Sequence, residues 1–187
     1  MGNGVTRQRI VEAADILFYH RGFEHTSFSD IAEAVQISRG NFYHHFKTKD
    51  EILDAVIGTR LVRTQEMLDT WEAEGKTPVE RIRSFINIMI MNRSKIKEYG
   101  CPVGTLCTEL AKLDHGAQDN ANELFLLFRN WLAHQFRDLG RKRDANALAM
   151  HLLARTQGVA TLASAFRDEG FIRKEVKLME NWLNALS

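Results

Sequence analysis

The chain has 187 residues, 44% of them hydrophobic and 26% charged, with a formal net charge of +1. Such a chain is globular, with room for one large domain or two small ones, and is neither disordered nor fibrous. Near-neutrality excludes a bulk electrostatic case for nucleic acid: Arg7, Arg9, Arg21, Arg39, Lys47 and Lys49 are nearly cancelled by Glu12, Asp15, Glu24, Asp30 and Glu33.

Two prolines, Pro78 and Pro102, punctuate the chain. Long stretches run without a turn signal, which points to an all-α protein. Thr6 is placed to cap a first helix with Ile10, Ala13, Ala14, Leu17 and Phe18 on one apolar stripe. Gly22 sits where a glycine ends a helix, and Phe23 supplies the hydrophobic contact that follows. Three later starts carry a capping-box pattern: Ser27 with Asp30, Thr48 with Glu51, and Thr77 with Glu80. Pro78 stands at a first helical position, and Cys101 before Pro102 repeats the arrangement. These marks divide the first half into helices of about 15, 8, 7, 24 and 20 residues.

Gly116 separates a helix ending near Leu113 from one starting near Ala117. The latter carries Ala121, Leu124, Phe125, Phe128, Trp131, Leu132, Phe136 and Leu139. Gly140 and the basic residues Arg141, Lys142 and Arg143 mark the next break. From Asp144 to Asp168 the pattern is one long helix with Leu148, Leu152, Leu153, Val159, Ala160, Ala163 and Phe166 inward, ended by Gly170. A last helix carries Val176, Met179, Trp182, Leu183 and Leu186. The expectation is about nine helices.

Residues 27 to 45 have the layout of a helix-turn-helix. Ile31, Ala32 and Val35 face inward on a short helix; Gln36, Ile37 and Ser38 make the turn; Ser38 caps a second short helix. On that helix Phe42 and Phe46 share the core face, and Arg39, Gly40, Asn41, Tyr43 and His44 share the other. That second face suits a major-groove reader: Gly40 permits close approach, Asn41 offers a donor and an acceptor to a base edge, and Arg39 reaches guanine or phosphate. Tyr43 and His44 can donate to phosphate. Lys47 and Lys49 flank the next helix start, whose N-terminus can itself meet a phosphate; both, with Ser27 at the start of the preceding helix, are candidate DNA-binding residues. His44 and His45 are not a metal pair, because adjacent helical positions point about 100° apart and no ligand follows one turn on.

The run DIAEAVQISRGNFYHHFKTKDEIL, Asp30 to Leu53, resembles the TetR/AcrR family of bacterial transcriptional regulators, over roughly residues 6 to 56. The resemblance implies a helix-turn-helix DNA-binding domain at 1–48 and a helical ligand-binding and dimerisation domain at 49–187. It implies repression relieved by a small molecule, with double-stranded operator DNA as partner. It carries DNA contact to Ser38, Arg39, Gly40, Asn41, Tyr43, His44 and Lys49, and a core role to Phe42 and Phe46. Many members have glycine where Gln36 stands, so a positive φ there would carry a conformational cost.

In the family the last two helices pair with their copies, and here they carry small residues: Ala154, Gly158, Ala160, Ala163 and Ala165. A two-fold dimer would set two heads about 34–36 Å apart on successive major grooves. Phe85, Met89 and Asn92 share one helix face, Phe125, Phe128 and Trp131 another; with Gln157 and Cys107 they are the candidate effector residues and suit an apolar or aromatic ligand. Cys101, at a helix start near Lys95 and Lys97, is the candidate redox or electrophile-sensing thiol; the plain reading is a cap residue. A Cys101–Cys107 disulfide is disfavoured, since six helical residues span roughly 9 Å. No enzyme, cofactor or metal is expected: His115, His134 and His151 belong to no nucleophile motif. No signal peptide or membrane span is apparent, so the expected location is cytoplasmic. The N-terminal MGNGVT matches a myristoylation pattern but reads as a flexible end, and the sequon at Asn92 lies within an expected helix.

Overall fold

The computed structural model of the chain describes residues 3–186, except the side chains of Asn3 and Arg39. The described residues form ten helices and no strand: α1 (Asn3–Arg21), α2 (Phe28–Val35), α3 (Arg39–His45), α4 (Lys49–Glu74), α5 (Pro78–Met91), α6 (Arg93–Tyr99), α7 (Pro102–Lys112), α8 (Gln118–Asp138), α9 (Ala145–Phe166) and α10 (Glu169–Asn184).

They cluster in two compact units, one of Met1–Val62 with Thr105–Glu123 and one of Arg63–Gly104 with Leu124–Ser187. The units are drawn differently from the 1–48 and 49–187 division expected by function, and α4, α7 and α8 contribute residues to both. In the first unit α1 packs on α2, and the core is Ile10, Ala14, Phe18, Phe23, Ile31, Val35, Phe42, Phe46, Ile52 and Leu53, none more than 4% exposed. Each such side chain stabilises by roughly 1.5–3 kcal/mol before entropy is counted. In the second unit α10 packs on α5 and α9, and α6 on α9. Its core joins Leu68, Ile82, Phe85, Ile86 and Met89 to Leu132, Phe136, Leu152, Ile172 and Met179. Among the described residues no helix is long and apolar enough to cross a membrane.

Local chemistry sets the boundaries. Ser27–Asp30 and Thr77–Glu80 form complete capping boxes. Thr48 accepts from the Glu51 N–H at 3.1 Å, but Glu51 reaches back to the Lys47 N–H at 2.7 Å rather than to Thr48 itself. Gly22, at φ +90, ends α1 as expected.

Four expectations change. Thr6 lies inside α1, which starts at Asn3, so Thr6 does not cap it. The expected 20-residue helix is two, α5 and α6, which makes ten helices from nine. The break is at Asn92, whose side-chain amide donates to the Ile88 carbonyl at 2.9 Å, while Arg93 donates to the Ile90 carbonyl at 2.9 Å. The Asn92 backbone N–H keeps its own bond to Ile88 at 3.0 Å, so its side-chain amide shares that carbonyl at the break. The long ninth helix ends at Phe166 rather than at Gly170, because Arg167 adopts a left-handed conformation at φ 55. Its flank shows the crossed bonds of a Schellman motif, Asp168 N–H to Ala163 and Arg167 N–H to Ser164. Asp168 then caps α10, and Gly170 falls within that helix. Phe166, expected inward, is 74% exposed.

Candidate nucleic-acid interface

The reading head is built from local bonds on a two-phenylalanine anchor. Phe42 and Phe46, both 1% exposed, fix one side of α3 to the core. The Ser38 hydroxyl accepts from the Asn41 N–H at 3.3 Å and sets where α3 begins. The chain between α2 and α3 turns at Gln36, which adopts φ 55, ψ 45 and sends its N–H to the carbonyls of Ala32 and Glu33. The turn therefore needs the left-handed region, and glutamine meets it at a conformational cost. Arg9 steadies the same corner, donating to the Val35 carbonyl at 3.0 Å.

With the core face fixed, Gly40, Asn41, Tyr43 and His44 are exposed on α3, as are Ser27 and Ser38 at the two caps. Arg39 lies outside the described side chains. His45 is half-buried, so the two histidines divide between the outer face and the packed side. Lys47 donates to the Tyr43 carbonyl. Lys49 is half-buried, its ammonium 4.1 Å from the Phe23 ring centroid and 3.0 Å from the Phe23 carbonyl oxygen. That places Lys49 on the head's own loop, where it ties the start of α4 to residues 23 and 24.

The same loop receives a contact that no local pattern announced. The Glu109 carboxylate, from α7, accepts from the Phe23 N–H at 2.9 Å and the Glu24 N–H at 3.0 Å. A Cβ on Gly22 would lie 2.8 Å from that carboxylate, so glycine there admits Glu109 as well as the positive φ. His115 stands edge-on to Phe23, at 5.0 Å between centroids, and its Nε2 lies 3.4 Å from Asp50.

Residues 10–56 match the family described as bacterial regulatory proteins, tetR family, and residues 78–176 match the C-terminal domain of LmrA/YxaF-like transcriptional regulators. The chain belongs to the tetR family. It is thus a helix-turn-helix DNA-binding transcriptional regulator. Over 179 residues it is 26% identical to an uncharacterised HTH-type transcriptional regulator in the lacX 3′ region of Lactococcus lactis, covering 94% of this chain and 91% of that one. It is 26% identical over 133 residues to the HTH-type transcriptional repressor DhaR of a Mycobacterium species, covering 71% of this chain and 64% of that one. A TetR-family regulator structure from Chloroflexus aurantiacus superposes with a TM-score of 0.86 at 20% identity, covering 97% of this chain and 96% of that one. One from Legionella pneumophila gives 0.81 at 24%, covering 92% and 94%.

The candidate effector residues of this tetR-family regulator fall into three groups. Phe85 and Phe128 are buried and in ring contact at 5.5 Å, with Met89 buried in the same core and Phe125 half-buried against it. Trp131 meets Trp71 at 5.7 Å and donates to the Glu72 carboxylate at 3.0 Å. That carboxylate also accepts from Gln135, which is fully buried, at 2.7 Å, and from Arg81. Gln157 is half-buried, and its side-chain oxygen occupies the space a Cβ on Gly104 would need. The remaining two differ from expectation. Asn92 is exposed and bonded to its own helix, because the chain breaks there. Cys107 is buried in the first unit, with its thiol 3.4 Å from the Ala121 carbonyl oxygen. Cys101 is half-buried, and its sulfur accepts from the Gly104 N–H at 3.5 Å.

Proposed function

We propose that the protein is a homodimeric repressor that leaves its operator when a small apolar or aromatic effector occupies the second unit. The operator half is supported by the outer face of α3, where Asn41, Tyr43 and His44 are presented by a helix whose opposite side is locked by Phe42 and Phe46. The repressor half is supported by the likeness to DhaR, a transcriptional repressor.

The observation that carries the effector half is Glu109. It lies within the segment matching the LmrA/YxaF-like C-terminal domain, and its carboxylate holds the backbone of residues 23 and 24 in the head. A ligand that displaces α7 at its Cys101 end thereby reaches the α1–α2 loop. The lever α4, 26 residues and so roughly 39 Å long, supplies a second route. Small rotations at either would change the spacing of two heads that must stay about 34–36 Å apart. The effector seat comprises Phe85, Met89, Phe125, Phe128, Trp131 and Gln157, without Asn92 and Cys107. The second copy docks through α9 and α10, where Ala154, Gly158, Leu162 and Leu178 are exposed. On this reading 1–48 remains the functional reader, 49–187 the sensor, and the cytoplasm the place of action.

The test is selection of duplexes from a random-sequence pool, then a thermal-shift screen of apolar and aromatic compounds, with and without thiol alkylation. A paired half-site should emerge. A true effector at a hundredfold its Kd should stabilise the protein by about 2.7 kcal/mol and release the selected duplex. Release that survives alkylation excludes the thiol reading, and release by electrophiles alone that Cys101→Ser abolishes replaces effector with thiol. Failure to select any duplex overturns the operator reading itself.

A further inference from the structure

We infer that Phe28, the first residue of α2, is a positioning residue for operator binding, holding the Tyr43 ring so that its hydroxyl is presented to a DNA phosphate. The inference rests on the reading of α3 as the operator helix. Tyr43 is 50% exposed, so its own helix leaves the ring largely unsupported. Its support comes from across the turn. The Phe28 ring lies 5.4 Å from the Tyr43 ring with 24° between planes, a stacked pair. Phe28 in turn meets Phe42 edge-on, at 4.9 Å and 63°. Phe42 is 1% exposed and cannot move without disturbing the core. The three rings are therefore a series anchored at one end in the core and ending in the exposed phenol.

Beside them is a hollow of about 130 Å³ lined by Phe28, Ser29, Ala32, Phe42 and Tyr43. It leaves the Tyr43 ring room to collapse toward α2, and the Phe28 ring is the wall that holds it out. Removing that wall enlarges the hollow and lets the phenol leave its presented position. A tyrosine already held has less freedom to lose when its hydroxyl donates to phosphate. The capping box beneath fixes Phe28 itself, since Ser27 and Asp30 determine where α2 begins.

The duplex selected by the unaltered protein is the probe. Tyr43→Phe should weaken binding by roughly ten- to a hundredfold per head, the worth of one hydrogen bond to a charged acceptor. Phe28→Leu, which fills against Phe42 but cannot stack, should weaken it by a similar factor. The double variant should be no weaker than the worse single one. Phe28→Tyr keeps the stack and should bind as the unaltered protein does. Because the lost contact is an uncharged donor to phosphate, the loss should be the same on selected and scrambled duplexes, with the slope of log K against log salt unchanged. A second readout needs no DNA. With 3-fluorotyrosine incorporated, the fluorine resonance that Tyr43→Phe removes should shift in Phe28→Leu, as the stacked ring's current is lost. Unaltered binding by Phe28→Leu, multiplicative losses in the double variant, or an unmoved fluorine resonance would each overturn the inference. Lost binding by a folded Phe28→Tyr would do the same. Should the unaltered protein select no duplex, the operator reading fails first, and the fluorine shift still reports on the stack.

Discussion

The side-chain bonds that cap helices reach three residues in both regions, Ser27 to Asp30 and Ser38 to Asn41 in the head and Thr77 to Glu80 in the second unit, and Arg9 reaches the end of α2 at Val35 across 26 residues. The second unit's tertiary side-chain bonds reach farther: Glu72 to Gln135, 63 residues apart, Arg93 to Glu169, 76 apart, and Arg83 to Asn184, 101 apart. Bonds of shorter reach make the head's shape depend more on its own segment. Long-range bonds make the second unit's shape depend on how its helices are disposed. Under the proposed function the head moves as a rigid reader, and the second unit has two arrangements close in free energy.

The Glu109 clamp is where that contrast can be broken most strongly, because it reaches Phe23 from 86 residues away. Glu109→Ala leaves the Phe23 and Glu24 N–H groups to water. It should cost roughly 2 kcal/mol locally, or about thirtyfold faster amide exchange at residues 22–24. α3 amides should keep their protection, and effector-induced release should weaken while duplex binding persists. Exchange unchanged at the loop would mean that the head needs nothing from α7, and the proposed route through it would be lost.

A smaller effect tests the local side. Gln36 occupies φ 55 at the turn, and Gln36→Gly keeps the N–H bonds to Ala32 and Glu33 while removing the left-handed cost. The head should gain about 1 kcal/mol, or roughly 4–8 °C in the Tm of its transition. The second unit's transition should stay where it is if the two are held separately. A Tm that falls would show that glutamine's side chain supplies something its backbone geometry does not reveal.

The same contrast explains what could be read from the residues alone. Phe42 and Phe46 four apart, Ser38 before them and a glutamine in the turn locate α3 and its outer face, because every determinant lies within one short segment. Asn92 and Phe166 fit an inward helical stripe and are nonetheless exposed. One helix breaks at Asn92, whose side chain bonds back to Ile88, and a left-handed Arg167 ends the other; a period of 3.6 residues carries no information about either. Phe28 carries no signal of its own in the sequence, and its stack on Tyr43 could not be read there, since the two meet only after the turn folds back. Glu109 shares no pattern with Gly22 to Glu24, and only their tertiary meeting identifies it. The effector seat is the least legible part for the same reason: its candidate walls come from α5, α8 and α9.

The smallest effect is in acid, and it separates the two regions by the reach of one carboxylate in each. Asp30 is held below its ordinary value of 3.8 first by the Ser27 hydroxyl, then by the Ser27 N–H, with Arg21 adding attraction. Glu169 is held below its ordinary 4.5 chiefly by Arg93, with Arg173 and Lys97 assisting. Both folded values are depressed, so each carboxylate contributes stability that is present above its unfolded value and lost as pH falls through the folded one. For Asp30 the loss should loosen only the start of α2, seen as faster exchange at Asp30 and Ile31 below about pH 4 and absent from Asp30→Asn. For Glu169 the bond joins α10 to α6, so its protonation should loosen both helices together, and Glu169→Gln should bring that change to neutral pH. Both carboxylates are partly exposed, which keeps each effect small. What distinguishes them is extent: one helix end in the head, two separated helices in the second unit. Acid exchange confined to α10 on loss of Glu169 would show that the second unit, too, is held locally.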